Sequence, residues 1–347
     1  MSVKDNLFRI KVFLKDPDKK PKAQILKEFL KLWYLKGNFP IHYIGRFLYR
    51  TSYRNPEKFM DMKEYSSFIY AKKNNKEEYV NLLANKFLFS ILCEKHKIST
   101  PRVLGYNMGK NFFGNEEIIK SPTIEQTIDF FQQIFKKNPI NRLFIKSFCG
   151  YGGKQVMVLE RNKIEEQLIE IRKSIFNDSY IFQEGIEQHE DLNQIYSKSI
   201  NTIRVETYID NEFQTHILGT TVRFGSGGKQ IDNISSGGIF VPVDSKTGKL
   251  KEIGMQAMIY GGAVYRKHPD SDIIFKDFQI PFFNESLELC MKMTTYIPNK
   301  LAGWDIAITP NGPVVIEGNH LPMITLGEIG YGGYVKHPLY KEMMSDL

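Results

Sequence analysis

Apolar residues recur at helical spacing in several separate windows of the chain. Between residues 77 and 97, Tyr79, Leu82, Leu83, Phe87, Leu88, Ile91 and Leu92 share a stripe, and the Thr100-Pro101 step closes it. Residues 123 to 137 predict a second helix, opened by Thr123 with Gln126 three residues on, the pattern of a capping box. The period then shortens. Residues 142–148 and 155–159 are β-rich runs joined by Cys149-Gly150-Tyr151-Gly152-Gly153-Lys154, a glycine-heavy connection of hairpin type. A helix is expected at 163–175 and an apolar run at 179–184. Strands are expected at 103–106, 202–208, 215–223 and 238–243, and a helix at 283–296 precedes a hairpin at 303–319. Helices mixed with antiparallel strand pairs predict an α+β fold rather than a doubly wound parallel sheet.

A length of 347 residues with 42% hydrophobic, 13% aromatic and 25% charged positions describes a chain able to bury a core, which excludes a disordered tail or a fibre. Cys93, Cys149 and Cys290 are odd in number and lack CxxC spacing, so neither a disulfide framework nor a structural zinc site is expected, and a reducing, cytoplasmic setting suits them. No signal-peptide core or membrane-spanning run is visible. The net charge of +8 is unevenly placed. Residues 1–58 carry fourteen Lys/Arg against five Asp/Glu, or +9, and the remainder is about neutral. This arm also holds Phe29, Leu30, Leu32, Trp33, Tyr34 and Leu35. Two readings stand open: helices packed on the main body by an apolar stripe, or peripheral contact with the anionic inner face of a membrane. Nucleic acid is not expected, because no recognised binding motif accompanies the charge.

The 303–319 hairpin, GWDIAITPNGPVVIEGN, has a readable register. A three-residue loop of Pro310, Asn311 and Gly312 would set Thr309 against Pro313, and hence Asp305 against Glu317, with Asn319 on the same face. Two facing carboxylates repel unless a cation, a shared proton or solvent relieves them, and hard oxygen ligands of this kind suit Mg²⁺. The GYGGK loop offers backbone N–H groups and Lys154 to a polyphosphate, with Lys146 on the strand before it. It is neither a Walker A loop nor a GxGxxG turn.

Seven blocks in this order resemble the ATP-grasp superfamily, and most closely its sugar-transfer-associated branch: residues 85–101, 143–154, 181–192, 199–208, 231–244, 268–281 and 303–319. The resemblance implies an ATP-grasp fold of two α+β subdomains with the nucleotide cleft between them. Here that would mean a basic helical N-terminal region at 1–75, subdomains at 76–186 and 187–335, and a tail at 336–347. It further implies that Lys86 and Lys146 bind ATP, that Gly150, Gly152, Gly153 and Lys154 cover its phosphates, and that Gln183, Glu184, Gly185 and Ile186 form the adenine hinge. Asp191 would meet the ribose, with Glu190 as an equal candidate; Arg204 and Lys146 would steady the transferred phosphoryl group, and Asp305, Glu317 and Asn319 would hold Mg²⁺. Arg223, Asn233, Ser236, Gly237 and Gly238 would line the acceptor site.

The implied reaction is ATP-dependent carboxylate–amine ligation through an acylphosphate. Its substrates would be a small-molecule carboxylate and an amine, the carboxylate carried on a lipid- or nucleotide-linked precursor of a bacterial capsule or other surface polysaccharide. An amino-acid or peptide ligase of the same fold, or a non-catalytic nucleotide-binding subunit, are the alternatives. Two features depart from the pattern: no parallel α/β domain precedes the first subdomain, and Asn85 stands before Lys86 where aspartate is frequent.

Overall fold

The computed structural model describes residues 3–114, 117–150, 156–228 and 237–345. The chain begins with helices α1 (Val3–Lys15), α2 (Lys22–Lys36), α3 (Ile41–Gly45), α4 (Met62–Ile69), α5 (Glu77–Ala84) and α6 (Lys86–Lys95). Next come β1 (Val103–Met108), β2 (Asn111–Gly114), β3 (Ile118–Lys120), α7 (Ile124–Lys137), β4 (Arg142–Ser147), β5 (Val156–Glu160), α8 (Ile164–Asn177) and β6 (Ser179–Glu184). After α9 (Glu190–Ile195) follow β7 (Thr202–Ile209), β8 (Thr215–Phe224), β9 (Ile239–Pro242), β10 (Gly254–Gln256), β11 (Val264–Tyr265) and α10 (Phe283–Tyr296). The chain closes with β12 (Leu301–Thr309), β13 (Gly312–Asn319), α11 (Thr325–Tyr331) and α12 (Tyr340–Met343).

Among the described residues these strands form two antiparallel sheets, of six strands in the order β3-β2-β1-β6-β4-β5 and of seven in the order β11-β10-β9-β8-β7-β12-β13. The α+β expectation holds. Helices α7 and α8 cover the smaller sheet, burying Phe130, Phe131, Phe135, Leu168 and Ile175 against Ile145 and Phe182. The capping box of α7 forms as its sequence predicts, Thr123 and Gln126 each accepting the other's backbone N–H. One face of the larger sheet is buried beneath α10, α9, α5 and α6, with Trp304, Ile203 and Val205 at its centre. Part of its other face is closed by Tyr334, Ile324 and Met343 near the C-terminus, together with Phe68 and Ile69 of α4.

Two expectations need correction. The stripe at 77–97 is two helices, broken at Asn85, whose backbone is extended (φ −101°, ψ 106°) and bridges Cys149 after β4. The Asn85 carboxamide accepts from the N–H groups of Phe87 and Leu88 and so caps α6, a role open equally to the aspartate expected there. The 303–319 turn is shorter than predicted: Thr309 pairs with Gly312 across the two residues Pro310 and Asn311. A bulge at Ile316 then restores the register, and Asp305 lies opposite Glu317 after all. Among the described residues no helix is long and apolar enough to cross a membrane.

Candidate functional site

Strand alternation places one row of side chains across four strands of the larger sheet. Thr221 on β8 pairs with Arg204 on β7, Arg204 with Asp305 on β12, and Asp305 with Glu317 on β13. The adjacent row on that face is Gly219, Glu206, Gly303 and Asn319. Gly303 leaves room for its neighbour, since a Cβ there would lie 3.2 Å from Cδ of Arg204 and 2.7 Å from Cβ of Pro322.

The facing carboxylates are relieved by side chains of the protein itself. Asp305, buried, accepts from Nε and Nη2 of Arg204, the latter at 3.0 Å, and from Nη2 of Arg223 at 2.8 Å. Burial alone would raise its pKa; the two guanidiniums outweigh that and hold it well below the usual carboxylate range. Arg223 is braced by Thr202, whose Oγ1 accepts from its Nε at 2.9 Å and Nη2 at 2.6 Å. Glu317 is only partly buried and lies 3.5 Å from Nζ of Lys86.

Lys86 is the first residue of α6, and the Asn85–Cys149 bridge ties that helix start to the end of β4. Its N–H donates to the Phe148 carbonyl at 2.8 Å and its Nζ to the Gly150 carbonyl at 2.7 Å, which sets its charge beside Gly150. Lys146, on β4 of the smaller sheet, is close enough to feel both Glu317 and Lys86. Burial lowers its pKa to about 8, with Glu317 opposing the shift and Lys86 adding to it. The structure thus brings Lys86, Lys146, Arg204, Arg223, Asp305, Glu317 and Asn319 to the junction of the two sheets.

The remaining predicted residues sit as follows. Gln183 is buried at the end of β6 and donates to Ser90 and to the Pro101 carbonyl. Glu184 pairs with Arg102, while Gly185 and Ile186 continue the chain beyond β6. Asp191 lies in the first turn of α9, where its N–H donates to the ring of the capping residue His189. Gly237 and Gly238 lead into β9, and the Gly237 carbonyl accepts from Ser226 and Gln256. Gly152, Gly153, Lys154, Asn233 and Ser236 lie outside the described residues.

The donor set suits a small hard cation. Two carboxylates and a carboxamide share one face, and their side-chain oxygens are the hard ligands such an ion takes. Among the described residues no three His, Cys, Asp or Glu side chains form a ready-made metal cage.

Reading the sequence did not single out Thr202 or Glu206. Glu206 is buried beside Arg204's row, accepts from the Tyr334 hydroxyl at 2.9 Å, and is pushed up by burial to about 8. The signal was present in the alternation of β7, where Thr202, Arg204 and Glu206 share a face.

A family model described as sugar-transfer associated ATP-grasp matches residues 65–341. No curated protein matches the chain. Among solved structures the chain is similar to the biotin carboxylase beta-gamma-ATP complex from Campylobacter jejuni, with 12% identity over 77% of this chain and 46% of that one and a TM-score of 0.45. It is similar to D-alanyl-alanine synthetase A from Vibrio cholerae O1 biovar eltor, with 10% identity over 76% and 65% and a TM-score of 0.46. A third is the RimK domain ATP-grasp protein from Sphaerobacter thermophilus, with 14% identity over 78% and 70% and a TM-score of 0.43. The chain spans 46% and 65% of the first two proteins.

Proposed function

The chain belongs to the sugar-transfer associated ATP-grasp family, and from that premise we propose that it is an ATP- and Mg²⁺-dependent carboxylate–amine ligase acting through an acylphosphate. The observation that carries this reading is the meeting of Lys86 and Lys146 with Glu317, beside the Arg204–Asp305–Arg223 cluster. Four cations against two carboxylates give these groups a net +2, which complements the negative charge a nucleoside triphosphate keeps after binding one Mg²⁺.

Asp305, Glu317 and Asn319 would hold the metal, which when bound neutralises phosphate oxygens as charge moves between them. Lys86 and Lys146 would pair with phosphate oxygens from the side of the smaller sheet. The glycine loop from Gly150 to Lys154 would cover them, Gln183 to Ile186 would meet the adenine, and Asp191 the ribose. Arg204 would face the transferred phosphoryl group, held in position by Asp305. The donor carboxylate attacks the γ-phosphorus and ADP leaves; an amine then attacks the acyl carbon and phosphate leaves, giving an amide. Arg223, Asn233, Ser236, Gly237 and Gly238 would lie toward the acceptor.

The family description links the chain to sugar transfer and no further; we propose as substrates a carboxylate of a cell-surface polysaccharide precursor, lipid- or nucleotide-linked, and an amino acid or other amine, joined in the cytoplasm. The test is a panel of uronic acids and amino acids supplied with ATP, Mg²⁺ and amines, read by ADP release and product mass. Transfer of ¹⁸O from the labelled carboxylate to phosphate is expected. AMP with pyrophosphate instead of ADP, or no label in phosphate, would overturn the acylphosphate route.

A further inference from the structure

Helix α2 is apolar on two sides. Its inner side, with Ile25, Phe29 and Leu32, packs into a cluster around Tyr43 and Tyr49. Its outer side carries Leu26, Leu30, Trp33 and Tyr34, spaced as one helical stripe, and these are 48–87% exposed. The Trp33 ring meets Phe39 edge-on at 5.7 Å, and Phe39 is itself 61% exposed, so the patch runs past the end of the helix. An exposed apolar surface of this extent has no role in a chain that meets only water.

The same N-terminal arm carries unspent positive charge. Asp16, Glu28 and Glu57, three of the arm's acids, are occupied by Arg50, Lys20 and Lys31. Lys11, Lys15, Lys22 and Lys27 are exposed, with no acidic partner among the described residues. Two copies joined through this face would bring like-charged arms together, which disfavours self-association. A layer of anionic headgroups over hydrocarbon satisfies both the lysines and the apolar stripe, and a Trp at such a boundary is favoured.

We infer that the outer face of α2, continued by Phe39, docks on an anionic lipid bilayer. The lysines supply long-range attraction and Leu30, Trp33 and Tyr34 enter the headgroup boundary. None of these residues is one assigned to the nucleotide or the metal, so the failure of this inference would leave the ligase reading standing.

The test uses the full chain and vesicles of phosphatidylcholine with or without phosphatidylglycerol. The protein has two tryptophans, and Trp304 is 0% exposed, so a change in emission reports Trp33. Expected are a blue shift and quenching by brominated lipid only where phosphatidylglycerol is present. The quadruple variant Lys11→Gln, Lys15→Gln, Lys22→Gln, Lys27→Gln should weaken partitioning by roughly 600-fold, at roughly fivefold per lysine. Leu30→Ser with Tyr34→Ser should abolish quenching while ATP affinity stays unchanged. No binding, or equal binding to neutral vesicles, would overturn the inference. So would a lipid-free dimer that the Leu30→Ser, Tyr34→Ser variant dissociates, which would assign the face to a second copy.

Discussion

Replacing Asp305 by asparagine keeps its shape and removes its charge. In the wild type its carboxylate faces Arg204 and Arg223, whose side chains are 11% and 10% exposed. The variant leaves two cations with little water to solvate them and presents an amide N–H₂ where an acceptor stood. Breaking a buried ion pair from one side costs about 3–5 kcal/mol. With an unfolding entropy of roughly 2.1 cal/mol/K per residue, the whole chain gives about 0.7 kcal/mol/K, so scanning calorimetry should show a fall of about 4–7 °C. Glu317→Gln is the control, because that carboxylate is partly exposed and its ion pair with Lys86 is 3.5 Å long; its cost should stay within about 1 kcal/mol. Adding Arg223→Met to Asp305→Asn should recover part of the loss by removing one stranded cation. An Asp305→Asn protein that melts within a degree of wild type, or a double variant whose losses simply add, would refute the assignment of Asp305 as the charge centre of the row.

Glu206, pushed up by burial to about 8 from an ordinary 4.5, holds a proton that the unfolded chain releases. Its contribution is therefore full below about pH 4.5 and is lost as pH rises through about 8. Glu206→Gln should match wild type in melting temperature near pH 5 and exceed it near pH 9, and equal melting at the higher pH would count against the buried acid. A Cβ at Gly327 would lie 2.2 Å from Oε2 of Glu206 and 2.5 Å from the Tyr334 hydroxyl, so Gly327→Ala should destabilise by about 1–3 kcal/mol in denaturant titration. Arg46→Met should destabilise by about 3–5 kcal/mol, because it strands the fully buried Glu328 carboxylate; a stability unchanged from wild type would show that the tie from the arm to α11 is dispensable.

Local periodicity made much of the fold legible. Residues 123–137 carry both a clean stripe and their own cap, and α7 begins where Thr123 says it should. The break at Asn85 was hidden because residues on either side of it keep helical spacing; what breaks the helix is a bridge to Cys149, 64 positions away in the chain. The 303–319 register came out right through two compensating local facts, a turn one residue shorter and a bulge at Ile316, neither of which hydrophobic alternation reports. The carboxylate pair was legible, but its relief was not. Arg204 and Arg223 reach Asp305 through strand neighbours about a hundred residues earlier in the chain. The ion pair of Arg46 with Glu328, which ties the basic N-terminal segment to α11, spans 282 positions and left no trace in spacing or composition.

Calorimetric titration of ATP into the wild type and into Glu317→Gln, each with and without Mg²⁺, tests the shared site most directly. If the carboxylates of the larger sheet and the lysines beside the smaller one enclose a single metal-bound triphosphate, Mg²⁺ should tighten ATP binding to the wild type by tenfold or more, about 1.4 kcal/mol. That gain should vanish in the variant, while Lys86→Met weakens binding with and without the metal. Equal tightening by Mg²⁺ in the wild type and in Glu317→Gln would contradict the account.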